Sequence, residues 1–445
     1  MPPPFSPTPV KNIVTESRHI NINVPVLARV EGEGALELNI RDRQIEELRL
    51  RIYEPPRLFE KFLEGRSYRE VPDMVARICG ICPVAYQMSA VHAIEQVFGC
   101  DPGPWVRTMR RLMYCGEWIE SHSLHIHLLA APDFLGYASA PEMARDFPQE
   151  VRRGLRLQSL GNELIRLCGG RSVHPVGVCV GGFHHAPTIK EVIRLREKLQ
   201  AAVADARALV AWTASLDLPD NPQRFTSVAL RHESEYPMNE GRLVSDAGLD
   251  IAIDEFAQHI IEHQVPHSTA FHALLDDQPY LAGPLARLNL NRDRMPPPVS
   301  EIMRDIGIDF PDSNMFHSIV ARAIEIYFAF IEAIRILENY EVPASPDVRV
   351  TPRRGVGYGC TEAPRGLLWH RYELNDAGDV DKATIIPPTS QNQARIEQDL
   401  HESLQVYGLD RSDDEIRLFS EKIIRNYDPC ISCSTHFLKV DIHRE

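Results

Sequence analysis

Two Cys-x-x-Cys pairs, Cys79/Cys82 and Cys430/Cys433, stand near opposite ends of the chain and constrain it more than any other feature. Two residues between cysteines make a tight turn that brings both sulfurs within reach of one metal ion. Two such pairs offer four thiolates, a donor set that suits zinc, nickel or an iron-sulfur cluster. A structural tetra-cysteine zinc site is the plainest reading. Against it, zinc ribbons keep their pairs within roughly 20 residues of each other. The flanks are also charged, with Arg77 before the first pair and Asp428 and His436 around the second. Charges so close suit a site that manages protons as well as sulfur. On the cysteines alone both readings stay open. Cys100, Cys115, Cys168, Cys179 and Cys360 complete a set of nine, an odd count that does not read as a disulfide framework.

The rest of the sequence narrows the class. With 445 residues, 44% of them hydrophobic and 25% charged, the chain has the material for a globular protein with a sizeable core. A net charge of -14 argues against nucleic-acid binding, which needs a basic face. There is no G-x-G-x-x-G and no P-loop, so the chain is not expected to bind a dinucleotide itself. No run approaches the roughly 18 apolar residues of a membrane span, and the proline-rich start lacks the apolar core of a secretion signal. The expectation is a soluble, cytoplasmic protein.

Periodicity predicts a mainly α fold with small β sheets. Strand-like alternation runs through Ile20–Val26 and Ala35–Ile40, with Glu31-Gly-Glu-Gly34 as the turn. Helical spacing covers Val71–Phe98, Trp105–Leu129, Gln149–Leu167 and Ile189–Ser215. Met315–Leu337 is apolar on several sides, as a buried central helix is. Cys168–Pro187, Pro352–Gly366 and Ile386–Gln391 read as loops. Short strands follow at Leu368–Glu373 and Asp381–Ile386, then a helix near Glu415–Asn426 leads into the last cysteine pair. The expected organisation is a flexible arm over 1–20, one domain over 21–436 and a tail over 437–445.

The motif Arg77-Ile-Cys-Gly-Ile-Cys82 and the motif Asp428-Pro-Cys-Ile-Ser-Cys-Ser-Thr-His436 resemble the two signatures of nickel-iron hydrogenase large subunits. Five more blocks occur in family order: Arg29-Val-Glu-Gly-Glu-Gly34, the segment Arg57 to Arg66, Gly170 to Pro175, Glu362-Ala-Pro-Arg-Gly366 and Pro387-Pro-Thr-Ser-Gln-Asn392. Together they span nearly the whole chain. The resemblance implies that family's fold, a long central helix bundle with short N- and C-terminal sheets.

It also implies roles. Cys79, Cys82, Cys430 and Cys433 would bind nickel, with Cys82 and Cys433 bridging to an iron that carries carbon monoxide and cyanide. Cys430 would be the first proton acceptor and Glu31 the relay. Arg365 would sit over the open metal face, fixed by Asp133 and Asp428. Thr389 would donate to a cyanide, with Pro388 packed nearby. Glu60, the backbone carbonyl of Ile385 and His436 would hold a second metal, magnesium.

Read without the family, Glu31 is a solvated hairpin glutamate, Arg365 a turn arginine, Asp133 and Asp428 cap or turn residues, and Glu60 an exposed helix residue. One position departs from the family pattern. Tyr86 stands where a histidine commonly follows the second cysteine, which puts the tuning of the site in question while leaving a hydrogen-bond donor there. The spacing around the first pair is most similar to the NAD(P)-linked enzymes, sulfhydrogenases among them. The implied partners are an iron-sulfur small subunit, flavin (FAD or FMN) and NAD(P) diaphorase subunits, and an endopeptidase that removes the tail after His436. The rival readings are a deazaflavin-linked or other carrier-linked hydrogenase, an H2-sensing regulatory subunit, a metal-free relative such as the quinone-site subunit of respiratory complex I, and a zinc-stabilised binding protein.

Overall fold

A computed structural model describes residues 19–435. Long helices dominate, and the strands form small antiparallel sheets. The helix Ser318–Glu338 is the axis, and nearly every side chain on it is buried, as its all-round apolar pattern requires. Against it pack the helices Gly103–Leu124 and Val203–Ala214. Pro148–Gly169 lies alongside Gly103–Leu124.

All six expected helical segments form helix, with three differences. The helical pattern of Val71–Phe98 is interrupted: Val71–Val75 ends, the backbone opens through Cys79 and Cys82, and Pro83–Phe98 begins anew. Proline at the first helical position has no N–H to leave unbonded, so it starts the second helix cleanly. The pattern over Ile189–Ser215 divides into Ile189–Gln200 and Val203–Ala214. The helix from Gly103 ends in a π-helical stretch, His125–Ala130.

The N-terminal sheet has three strands, His19–Val24, Gly34–Arg41 and Gln44–Ile52. The third was not expected, and the first begins one residue early, at His19, within the expected arm. The C-terminal sheet pairs Gly355–Ala363, Gly366–Leu374 and Val380–Ile386. Its first strand falls in the segment read as the loop Pro352–Gly366. Glycine and alternation are weak strand signals, but these glycines have a purpose. Gly357 and Gly359 lie on one face of the strand, where a Cβ would come within 2.0 Å of the Ala93 and Ser89 carbonyls. Their absent side chains let the strand lie directly on the helix Pro83–Phe98. That contact ties the first cysteine pair to the sheet whose hairpin carries Arg365.

The supposed loop Ile386–Gln391 instead closes the last strand and opens a buried helix, Pro388–Tyr407. A second, smaller core joins the strands Val228–Arg231, Arg242–Ser245, Ile260–His263 and His272–Leu275 to the C-terminal sheet. No helix among the described residues is long and apolar enough to cross a membrane.

Candidate metal centre

The two cysteine pairs meet. Cys79, Cys82, Cys430 and Cys433 are all buried, and their sulfurs lie within 4.8 Å of one another. Cys79 Sγ is 3.6 Å from Cys430 Sγ, which is 2.8 Å from Cys433 Sγ. With metal–thiolate bonds of about 2.3 Å, sulfurs on one ion are at most roughly 4.6 Å apart, so the four converge on the span of one centre. The first pair sits in the gap between two helices, where the Ile81 and Cys82 amides donate to Cys79 Sγ at 3.4 and 3.3 Å. The second straddles the entry of a single turn, Ile431–Ser434.

Without a cation, four crowded thiols resist ionising together. Hydrogen bonds from Cys430, Cys433 and Cys82 pull the Cys79 thiol well below the usual cysteine range. The bonds Cys430 makes to Cys433 and Cys79, with burial added, push its own thiol well above that range. A dication here would favour the thiolate at every one of them.

The N-terminal loop seals this pocket. The Ile431 amide donates to the Glu31 carbonyl at 3.0 Å, and the Ser432 amide to Glu31 Oε2 at 3.0 Å. The Glu31 carboxylate therefore lies half-buried beside the second cysteine turn, with an edge toward solvent. Gly32 makes this approach possible: its φ is +88°, and a Cβ would meet Ile431 Cβ at 2.7 Å.

Arg365, at the tip of the C-terminal hairpin, is 2% exposed. Its Nε donates to the Asp428 carbonyl at 2.6 Å and its Nη2 to Asp428 Oδ1 at 3.1 Å. Nη1 is buried with no hydrogen-bond partner among the described residues. A buried, unpaired guanidinium nitrogen costs roughly 1–3 kcal/mol or more unless something else accepts from it. Thr389 Oγ1 accepts from the Cys430 amide at 3.0 Å and keeps its own O–H to donate. Pro388 is buried beside it at the start of the same helix.

Asp133 departs from expectation. Its carboxylate is taken by Arg29 and by Arg425, whose Nε and Nη2 donate at 2.6 and 2.9 Å. It joins the N-terminal loop to the last long helix, while Asp428 holds Arg365. Glu60 and Ile385 do come together, the Ile385 amide donating to Glu60 Oε1 at 2.7 Å. Burial pushes that carboxyl up to about 7. His436 and the tail lie outside the described residues. The Tyr86 ring packs 5.7 Å from His370, and its hydroxyl is buried with no hydrogen-bond partner among the described residues.

Several supporting residues escaped the sequence reading. Glu117 accepts from the Val84 and Ala85 amides at 2.6 and 3.1 Å, capping the helix that follows Cys82. On the central helix Glu325 pairs with Arg287 and His122, and Arg322 lies near Asp428. The available signal was charge within an otherwise apolar helix, because such groups must find partners when buried.

Comparison with known proteins decides among the candidate centres. The model of the nickel-dependent hydrogenase family matches residues 57–152 and 277–436, more than half of the chain. The chain belongs to the nickel-dependent hydrogenase family. The alpha subunit of sulfhydrogenase 2 from Pyrococcus furiosus is 32% identical over 424 residues, covering 94% of this chain and 100% of that protein. The sulfhydrogenase 1 alpha subunit of the same organism is 30% identical over 430 residues, covering 95% and 99%. The crystal structure of an NAD+-reducing nickel-iron hydrogenase in its H2-reduced state superimposes with a TM-score of 0.85 at 26% identity, covering 94% of this chain and 99% of that one.

The chain is thus the catalytic large subunit of a nickel-iron hydrogenase, an oxidoreductase acting on H2. Its residues fit the group that this family implies. Four convergent soft thiolates suit nickel, and the orphaned Arg365 Nη1 and the spare Thr389 O–H supply donors that a protein-only pocket leaves unused. The zinc-site and metal-free readings both give way.

Proposed function

We propose that this chain is the H2-activating subunit of a cytoplasmic, NAD(P)-linked complex, in which Cys79, Cys82, Cys430 and Cys433 would hold the nickel and Cys82 and Cys433 would also serve the iron. The observation that carries the site assignment is the meeting of four buried sulfurs within 4.8 Å, contributed by both ends of the chain. When bound, the nickel-iron centre, with carbon monoxide and cyanide on iron, supplies the heterolytic cleavage of H2.

The chain's own residues manage charge around that event. Arg365, anchored on Asp428 through two nitrogens, directs Nη1 to the reacting face, where a fixed positive charge in a dry pocket acts strongly. Thr389 would donate to a cyanide of that centre, with Pro388 packed nearby. Cys430 Sγ holds the released proton. Glu31 carries it outward, its carboxylate oriented by the Ser432 amide and open enough to hand the proton on. Asp133 positions the N-terminal loop through Arg29 and the last helix through Arg425. Glu60, the Ile385 carbonyl and His436 would hold magnesium, whose hard charge suits oxygen ligands.

Electrons leave through an iron-sulfur small subunit to flavin subunits that bind FAD or FMN and NAD(P). The sulfhydrogenase alpha-subunit relatives and the likeness to an NAD+-reducing enzyme support that linkage. The single domain spans 21–436, and a maturation endopeptidase removes the tail 437–445.

Infrared spectroscopy of the purified complex, with nickel, iron and magnesium analysis, tests the site. Bands of carbon monoxide and cyanide with about one nickel per chain are expected, whereas zinc without those bands overturns the assignment. H2-dependent reduction of NAD+ or NADP+ by the same complex tests the acceptor. Reduction of a deazaflavin alone would replace the NAD(P) linkage.

A further inference from the structure

Away from the thiolates, a second set of ligating side chains converges. His272 opens the strand His272–Leu275, and His267 lies in the connection that precedes it. Glu397 reaches them from the helix Pro388–Tyr407, about two turns beyond Thr389. One ligand atom from each of the three lies within 4.8 Å of the others. His267 Nε2 is 2.9 Å from Glu397 Oε1, His272 Nδ1 is 4.0 Å from Glu397 Oε2, and the two rings stand edge to face at 5.7 Å.

A hydrogen-bonded dyad explains only part of this. Glu397 Oε1 is already satisfied by His267 and by the Leu50 amide at 2.9 Å. His272, 5% exposed, turns Nδ1 toward the carboxylate at a distance too long for a hydrogen bond, and its buried Nε2 has no hydrogen-bond partner among the described residues. Leaving a buried imidazole so poorly paired is costly, and burial also disfavours its charged form, which leaves the neutral ring that binds metals. The separations of 2.9 and 4.0 Å bracket the roughly 3.4 Å between ligands that bind one tetrahedral ion at about 2.0–2.1 Å.

We propose that His267, His272 and Glu397 bind a divalent first-row ion of the zinc type. Two imidazoles and one carboxylate are donors that such ions favour over magnesium or calcium. His267 and Glu397 are about one-fifth exposed, so an ion can enter and keep water in a further position. His263, exposed and opposite His272 in the strand pair, stands at the rim. The ion ties the hairpin to the helix that presents Thr389, and Leu50 brings the N-terminal sheet to the same carboxylate.

The test uses the mature, nickel-loaded complex, stripped of loosely held ions with a chelator and titrated with Zn2+ against a chromophoric competitor. One zinc per chain is expected, with affinity at least about tenfold weaker in Glu397→Gln and His272→Ala. X-ray absorption at the zinc edge should show nitrogen and oxygen neighbours near 2.0–2.1 Å and no sulfur. Nickel content and zinc-free H2 oxidation should match the unaltered complex. Zinc binding that survives both substitutions, sulfur in the zinc shell, or no zinc binding at all overturns the proposal. If His272→Ala fails to fold, the partly exposed His267→Ala carries the same comparison.

Discussion

At the scale of single residues, Arg365 and Glu31 divide the work around the thiolates. Arg365 commits two nitrogens to Asp428 and leaves one unpaired among the described residues, which only a planar, forked cation can do. Lysine at this position would keep the charge and lose the fork. Arg365→Lys should retain nickel while H2 oxidation falls by about 100-fold or more, the usual cost of one lost donor at a reacting centre. Steady-state rates with metal analysis check it, and unchanged turnover would remove Arg365 from the reaction face. Glu31→Gln preserves the acceptor for the Ser432 amide but cannot carry a proton. Nickel should be retained and turnover should drop by about 10²-fold or more, and a full rate would show that protons leave by another route. Asp133 teaches the complementary lesson. Its motif resemblance pointed to Arg365, yet its bonds to Arg29 and Arg425 make it a bracket between chain segments.

Secondary-structure elements place these groups through close contacts that polar pairs then lock. Gly357 and Gly359 let a strand rest on the helix after Cys82, and that strand leads into the turn of Arg365. Further out, Glu332 on the central helix accepts from Arg111 of the neighbouring helix and from Arg335. Burial pushes the Glu332 carboxyl up, but the bonds from Arg335 and the attraction of Arg111 outweigh it and hold it down at about 2. A carboxyl depressed on folding stabilises above its unfolded value near 4.5, and that stabilisation is lost as pH falls through about 2. Glu332→Gln should therefore cost about 3 kcal/mol at neutral pH. The gap to the unaltered chain should close between about pH 4.5 and 2, as read from denaturant midpoints across that range. A deficit that persisted at pH 2 would mean that packing, and not charge, holds these helices together.

Across the whole molecule the two ends meet at one centre. The loop before Gly34, the gap before Pro83, the turn of the C-terminal hairpin and the last described helical turn all converge there. A metal bound by both pairs therefore cross-links distant parts of the fold and should stabilise it by mass action. Chain produced with nickel should melt at least several degrees above chain produced without it, in calorimetry of both forms. Replacing Cys79 and Cys430 by serine should abolish the difference, and equal melting temperatures in the unaltered pair would show that the centre adds nothing to stability.

Composition, the cysteine spacing and the ordered motif blocks were enough to read the family, the mainly helical class, the buried helix near Met315–Leu337 and the four thiolates. These are local or periodic features, and a helix period or a Cys-x-x-C turn is written in neighbouring residues. The interruption between Val75 and Pro83, the strand Gly355–Ala363 and the helix Pro388–Tyr407 were not legible. At the strand, close packing of Gly357 and Gly359 on the helix Pro83–Phe98 overrides a weak local preference. The partners of Asp133, the capping by Glu117 and the gathering of His267, His272 and Glu397 belong to the tertiary structure alone. A buried charge takes whichever partner folding brings within about 3 Å, and that distance is set by packing between residues hundreds of positions apart.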